Sequence, residues 1–265
     1  MKSPLLLGID LEDQERLYGR KGDTRIRFAT KYLLEFLNEN NIKTTFFIVG
    51  DLARENNKII EEIISSGHEI GCHSNSHITL DNLNPKKFSI DLKRNIKILK
   101  DLGAKNIFGF RAPRFSLNKQ TKWAYEVLLD QGFKYSSSVL PGKTLEYGWE
   151  GLDQKPNIQN KIWEIPMTLI KTPFLGIPFG GMYFRLIPEL LTKQIQSNYL
   201  SEGLPLVSYL HPYDFDYKQQ KLSLNKNYLK NTLLFYNRKS TIPKLANIIQ
   251  HFTPMKYIDY LNQLS

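Results

Sequence analysis

Two histidines four residues apart, His73 and His77 in Gly71-Cys72-His73-Ser74-Asn75-Ser76-His77, are the side chains best suited to chemistry in this chain, which has 5 histidines in all. Neutral imidazole nitrogens bind zinc and similar divalent ions, and a catalytic site of that kind takes three protein ligands with a further position left for water. If the backbone turns into a helix after Cys72, this spacing sets both rings on one face, within reach of one ion. A third ligand is then required.

Gly8-Ile9-Asp10-Leu11-Glu12-Asp13 offers three carboxylates at the exit of an apolar run. Their mutual repulsion is relieved by a cation. Asp13 is the expected third ligand and Glu12 the alternative, because Asp10, still at the strand end, is better placed as a base toward a metal-activated water. Arg111, in Phe110-Arg111-Ala112-Pro113-Arg114, can hold Asp10 through a two-point ion pair, while Arg114 is expected at the periphery or facing substrate. His211, in Leu210-His211-Pro212-Tyr213-Asp214, is the candidate general acid, since imidazole titrates near neutral pH. Together these groups describe a metal-assisted hydrolase.

Taken singly, each has a plainer reading as a capping histidine, a surface arginine or a hydrogen-bonded core residue. Their placement argues for one shared site. Leu5 to Ile9, Thr44 to Val49, Glu69 to Cys72 and Ile107 to Phe110 read as strands, alternating with helices over Arg27 to Asn38, Asn57 to Ser66, Pro85 to Leu102 and Lys119 to Gln131. Lys161 to Pro166 and Leu206 to Leu210 continue as strands, and Pro188 to Tyr199 and Pro243 to His251 as helices. Pro141 to Asn160 shows no clear period. Asp10, His73, Arg111 and His211 each follow a different strand, and in α/β barrels such carboxyl ends converge on the functional face.

A chain of 265 residues, 41% hydrophobic, suffices for one barrel spanning 1–265. No apolar run reaches the length of a membrane span and no signal peptide is visible. The single cysteine, Cys72, excludes an intramolecular disulfide framework and fits a cytoplasmic protein. The net charge of +10 suits an anionic partner, including peripheral contact with a membrane surface, but the charges follow helical faces and match no nucleic-acid motif.

With Asp10, the His73/His77 pair, Arg111-Ala112-Pro113-Arg114 and Leu210-His211-Pro212 in this order, the chain resembles the polysaccharide deacetylases of the NodB-homology family, carbohydrate esterase family 4. Thr45-Phe46-Phe47-Ile48-Val49-Gly50 and Gly67-His68-Glu69-Ile70-Gly71 are similar to further parts of that domain. Gly180-Gly181-Met182-Tyr183-Phe184-Arg185 resembles the subgroup found with bacterial surface-polysaccharide genes. The resemblance implies a distorted, seven-stranded (β/α) barrel with an Asp-His-His metal centre. Zinc is the usual ion, with cobalt, nickel or manganese as alternatives. It implies removal of an N-acetyl group from an amino sugar in a glycan, sugar nucleotide or lipid-linked glycan. Position by position, Asp10 matches the base, His73 and His77 the metal ligands, Arg111 the residue tethering the base, and His211 the acid.

Two departures stand out. The family's first motif has adjacent aspartates, whereas Leu11-Glu12 separates Asp10 from Asp13. Tyr135-Ser136-Ser137-Ser138 lacks the acid expected beside the serines, so Glu164, in Trp163-Glu164-Ile165-Pro166, is the expected partner tuning His211. Trp163, Tyr183 and Phe184 are candidates for a sugar-facing wall. A deformylase or cyclic-amide amidase on the same fold, and a catalytically silent carbohydrate-binding protein, are the alternative functions.

Overall fold

The computed structural model describes residues 2–19 and 25–264. Its organising strand, β1 (Pro4–Leu11), is buried along almost its whole length, as expected of a strand covered on both faces. Side chains alternate across it. Leu5, Leu7, Ile9 and Leu11 join the apolar cluster beneath the surrounding helices, whereas Leu6 joins a second cluster inside the curl of the sheet. The same period of two turns Gly8 and Asp10 inward.

The remaining strands are β2 (Thr45–Ile48), β3 (Glu69–Cys72), β4 (Gly109–Phe110), β5 (Tyr135–Ser136), β6 (Asn157–Gln159), β7 (Ile162–Glu164), β8 (Leu169–Lys171), β9 (Gly176–Pro178), β10 (Leu206–Leu210) and β11 (Thr253–Pro254). They form a nine-stranded sheet in the order β10-β1-β2-β3-β4-β5-β7-β6, with β11 added beside β1, and a separate β8-β9 ribbon. From β10 to β7 every pairing is parallel, which supplies the seven expected staves, and β6 runs antiparallel to β7. The expected strand count is thus exceeded by β6 and β11.

The barrel is distorted at one seam. Between β7 and β10 the chain itself crosses the gap: the amide of Ile165 donates to Ser136 (2.8 Å), Met167 to Val139 (3.1 Å) and Thr168 to Val207 (3.1 Å). Beyond the ribbon, Gly180 bridges Tyr209.

Amphipathic helices, including Ile26–Glu39, Asn57–Ser65, Pro85–Asp101 and Thr241–His251, cover the outer face. The helix Pro85–Asp101 starts sharply because Asn84 caps it, accepting from the Lys87 amide at 2.9 Å, and proline occupies its first position. Two expectations fail. No helix follows Cys72; instead Ser74 and His77 adopt left-handed backbone conformations, with φ of 59° and 53°. The stretch from Lys119 becomes α-helical only at Ala124–Asp130, because the Asn118 side chain accepts from the Gln120 amide at 2.9 Å and favours a turn there.

Candidate functional site

The parallel register carries the strand ends to one place. Leu210 lies opposite Ile9 and Cys72 opposite Phe110, so Asp10, His211, His73 and Arg111 are the next residues in line.

Arg111 is fully buried beneath this face. Its Nη1 donates to Asp10 Oδ1 at 2.7 Å, while Nε reaches the Ser137 carbonyl (2.9 Å) and Nη2 reaches Ser137 Oγ (3.0 Å) and the Tyr257 hydroxyl (2.8 Å). The expected two-point pairing with Asp10 is therefore a single hydrogen bond, because the other donors are committed elsewhere. The guanidinium also lies 4.1 Å over the Phe47 ring. Burial opposes its charge, but Asp10 outweighs burial and raises the pKa above the usual arginine value. Gly8 makes room for this arrangement: a Cβ there would lie 2.2 Å from Arg111 Nη1.

One step further along the inward face stands Glu12. Its Oε2 is 2.6 Å from His77 Nε2 and 3.6 Å from His73 Nε2, and its Oε1 is 3.3 Å from His211 Nε2. The Tyr213 hydroxyl donates to Oε1 at 2.9 Å. Burial pushes the Glu12 carboxyl up, yet His77 and His211 outweigh it and hold the group well below the ordinary carboxylate range.

His73 Nδ1 meets the Arg111 carbonyl at 2.8 Å; a carbonyl only accepts, so Nδ1 carries the proton and Nε2 presents its lone pair toward Glu12. The turn that returns His77 to the same point is fixed from beneath. Asp91 accepts from the amides of Asn75 (2.7 Å) and Ser76 (3.2 Å), and Asn95 donates to the Ser74 carbonyl (2.6 Å). The left-handed turn thus does what a helix was expected to do.

Among the described residues, Glu12, His73 and His77 form a group whose ligand atoms all lie within 4.8 Å of one another. His77 Nε2 is buried and lacks a hydrogen-bond partner even though Glu12 Oε2 is close, so the two atoms approach without the alignment of a hydrogen bond. Buried polar atoms are seldom left so. A divalent ion taking one nitrogen from each ring and one carboxylate oxygen fits this donor set. Asp13, the first expected carboxylate ligand, is engaged elsewhere: its Oδ1 caps the helix Gln14–Leu17 by accepting from the amides of Glu15 (2.9 Å) and Arg16 (3.3 Å), and it is Glu12 that stands beside the two histidines.

His211 is held by a residue that sequence reasoning missed. Asp214 Oδ2 lies 3.0 Å from His211 Nδ1 and accepts from the His211 amide at 2.9 Å, and Arg185 Nε lies 2.9 Å from Asp214 Oδ1. Burial lowers the His211 pKa, but the charges of Glu12, Asp214 and Asp10 raise it to about 9. Asp214 is itself held at about 2, burial being outweighed by Arg185 and His211.

Glu164 does not fill that role. It is fully buried and accepts from the amides of Ser138 (2.8 Å) and Val139 (3.1 Å) and from the Tyr125 hydroxyl (3.0 Å). Ser138 Oγ in turn accepts from the Ala112 amide at 2.8 Å, so Glu164 braces the turn beside Arg111. Of the aromatic candidates, Phe184 is a core residue packed on Phe179, while Tyr183 and Trp163 are half-buried.

A cleft of about 560 Å³ opens over Glu12 and His77, with Asp13, Arg16, Asp51 and Arg114 in its walls. Arg114 is exposed and pairs with Glu146 at 2.5 Å.

Residues 22–134 match the polysaccharide deacetylase family, and residues 137–261 match a domain of unknown function, DUF3473. Over that first segment the chain is similar to the polysaccharide deacetylases. It is 25% identical over 174 residues to a Helicobacter pylori peptidoglycan deacetylase, covering 63% of this chain and 58% of that protein. In fold it is similar to a Mycobacterium smegmatis structure assigned to the polysaccharide deacetylases, with a TM-score of 0.58, 18% identity and 96% and 93% of the two chains covered. It is also similar to a carbohydrate esterase family 4 pseudoenzyme from Bacillus anthracis, with a TM-score of 0.55, 13% identity and 97% and 65% covered. The site spans both matched segments: His73, His77 and Arg111 come from the deacetylase segment, His211 and Asp214 from the DUF3473 segment, and Asp10 and Glu12 precede both.

Proposed function

We propose that this chain is a divalent-metal-dependent hydrolase that removes the N-acetyl group from an amino sugar of a polysaccharide or of a glycan-assembly intermediate. The observation that carries the reading is the convergence of Glu12, His73 and His77 on one point, with His77 Nε2 buried 2.6 Å from Glu12 Oε2 and without an aligned hydrogen bond. Zinc is the first choice for those nitrogen and oxygen donors, with cobalt, nickel or manganese as alternatives. An ion held there supplies Lewis acidity toward the amide carbonyl.

The chain's own residues at the neighbouring strand ends supply the proton transfers. Asp10, oriented by Arg111 at 2.7 Å, takes a proton from the attacking water. His211, kept in one tautomer and orientation by Asp214, gives a proton to the departing sugar amine.

The test is acetate release from N-acetylglucosamine oligomers and from peptidoglycan, with zinc or cobalt added, by wild type beside Asp10→Asn. Release by wild type alone supports the reading. Formate released from an N-formylated sugar, without acetate from the N-acetylated one, would identify a deformylase. Ring-opened product from a small cyclic amide would identify an amidase.

A second reading, a silent carbohydrate-binding protein, is favoured by Leu11 following Asp10 where the resemblance implies a second aspartate and by the pseudoenzyme among the fold neighbours. Equal sugar binding by wild type and Asp10→Asn, with no release by either, would establish it.

A further inference from the structure

The helix Tyr228–Phe235 faces the wrong way for water. Its polar Asn231 is buried, accepting from the amides of Leu224 (2.8 Å) and Asn225 (3.1 Å) and donating to the Leu222 carbonyl (2.9 Å). Tyr228 and Leu229 are instead 78% and 66% exposed, and Tyr236, just past the helix, is 51% exposed. A surface helix ordinarily turns its apolar stripe to the core and its polar groups outward.

Along this stretch of sequence the charge has one sign. Between Asp216 and Asp259 the sequence contains no acidic residue, while Lys218, Lys221, Lys226, Lys230 and Lys239 are all exposed. Lys221 lies 4.9 Å over the Tyr228 ring and donates to Thr232 Oγ1 at 2.8 Å, which ties the apolar tip to the basic field. This segment leaves β10 just past His211, and Arg238 Nη2 reaches Gln14 Oε1 at 2.9 Å, two residues from Glu12. It therefore flanks the cleft end of the sheet.

We propose that this face docks on an anionic lipid bilayer. Tyr228 and Leu229 enter the headgroup region while the lysines lie against negatively charged headgroups. The composition selects this occupant. Interfacial segments combine lysine with tyrosine and leucine, and each basic residue near an anionic surface is worth about 1 kcal/mol. Protein interfaces, by contrast, are depleted in lysine. The docking does not depend on the deacetylase reading; it would bring the cleft near a bilayer surface, where a lipid-linked glycan is presented.

The test is co-sedimentation of the full chain with vesicles of phosphatidylcholine alone and of equimolar phosphatidylcholine and phosphatidylglycerol. Wild type is expected on the anionic vesicles and to be released by salt. Lys226→Gln with Lys230→Gln should weaken the partition roughly thirty-fold, as two lysines at that worth imply. Tyr228→Ser with Leu229→Ser should weaken it while leaving the melting temperature unchanged, because both side chains are exposed. Absence from both vesicle types, equal binding to both, or variants that bind as wild type does would overturn the proposal. So would a dimer in sedimentation equilibrium that the Tyr228→Ser, Leu229→Ser variant abolishes, since a second copy would then occupy the face.

Discussion

Asp214 grips His211 twice with one oxygen: Oδ2 accepts from the His211 amide at 2.9 Å and faces its Nδ1 at 3.0 Å, so ring and backbone are locked together. This directs Nε2 at Glu12 and, beyond it, at the cleft. Proline at position 212 begins the short helix whose capping box creates this geometry.

Asp214→Asn keeps the size of the side chain but removes its charge and one acceptor. We expect kcat for acetate release to fall roughly 10²-fold, the scale of losing a positioned acid, with KM little changed. Steady-state kinetics on an N-acetylglucosamine oligomer checks this. An unchanged kcat would remove His211 from the chemistry.

The same pair sets a pH dependence of stability in metal-free protein. His211 is raised from 6.5 to about 9 in the fold, so its contribution is complete below pH 6.5 and disappears as pH rises through 9. Asp214 is lowered from 3.8 to about 2, so its contribution is present above pH 3.8 and is lost as pH falls through 2. Urea unfolding of metal-free protein should show a midpoint that declines from pH 6.5 to 9. In His211→Gln that decline should flatten.

Gly8→Ala tests the seat of Arg111. The added methyl would collide with the guanidinium, and the buried Asp10–Arg111 pair would have to shift or separate. Overpacking of this kind costs about 1–3 kcal/mol, and breaking a buried ion pair by removing one partner, as in Arg111→Met, costs about 3–5 kcal/mol. Thermal unfolding should rank wild type above Gly8→Ala and Gly8→Ala above Arg111→Met.

Glu164→Gln separates bracing from catalysis. It retains the carbonyl acceptor for Ser138 and Val139 but alters the contact with Tyr125, and we expect a stability loss of about 1–3 kcal/mol. Removing this buried carboxyl, whose pKa burial raises, takes its own titration out of the stability profile, but the decline between pH 6.5 and 9 that follows His211 should persist, since Glu164 is bonded to Ser138, Val139 and Tyr125 and not to His211. Loss of that decline would restore Glu164 as the tuning residue.

The strand ends were legible because hydrophobic runs mark strands and parallel strands share a carboxyl face; Asp10, His73, Arg111 and His211 meet for that reason. That Glu12 rather than Asp13 stands beside the histidines was legible too, had the period of two been continued past Ile9. Asp10 and Glu12 share a parity and point into the curl, whereas Asp13 has the opposite parity and falls where a helix needs a cap. Asp214 sits three residues from His211, which is capping-box spacing, so a local signal existed. Arg185, Tyr257 and Asp91 reach the site through tertiary packing from distant segments, and no local pattern announces them. The turn between His73 and His77 is held by Asp91 and Asn95 on a later helix, which explains why spacing alone suggested a helix there. The seam between β7 and β10 consists of single hydrogen bonds from an aperiodic stretch, and periodicity has nothing to detect in it.

The most direct measurement is zinc stoichiometry by equilibrium dialysis for wild type, Glu12→Gln and Asp13→Asn. If Glu12, His73 and His77 form the metal centre, wild type and Asp13→Asn each bind one zinc while Glu12→Gln binds far more weakly. Zinc retained by Glu12→Gln and lost from Asp13→Asn, or absent from wild type, would contradict it.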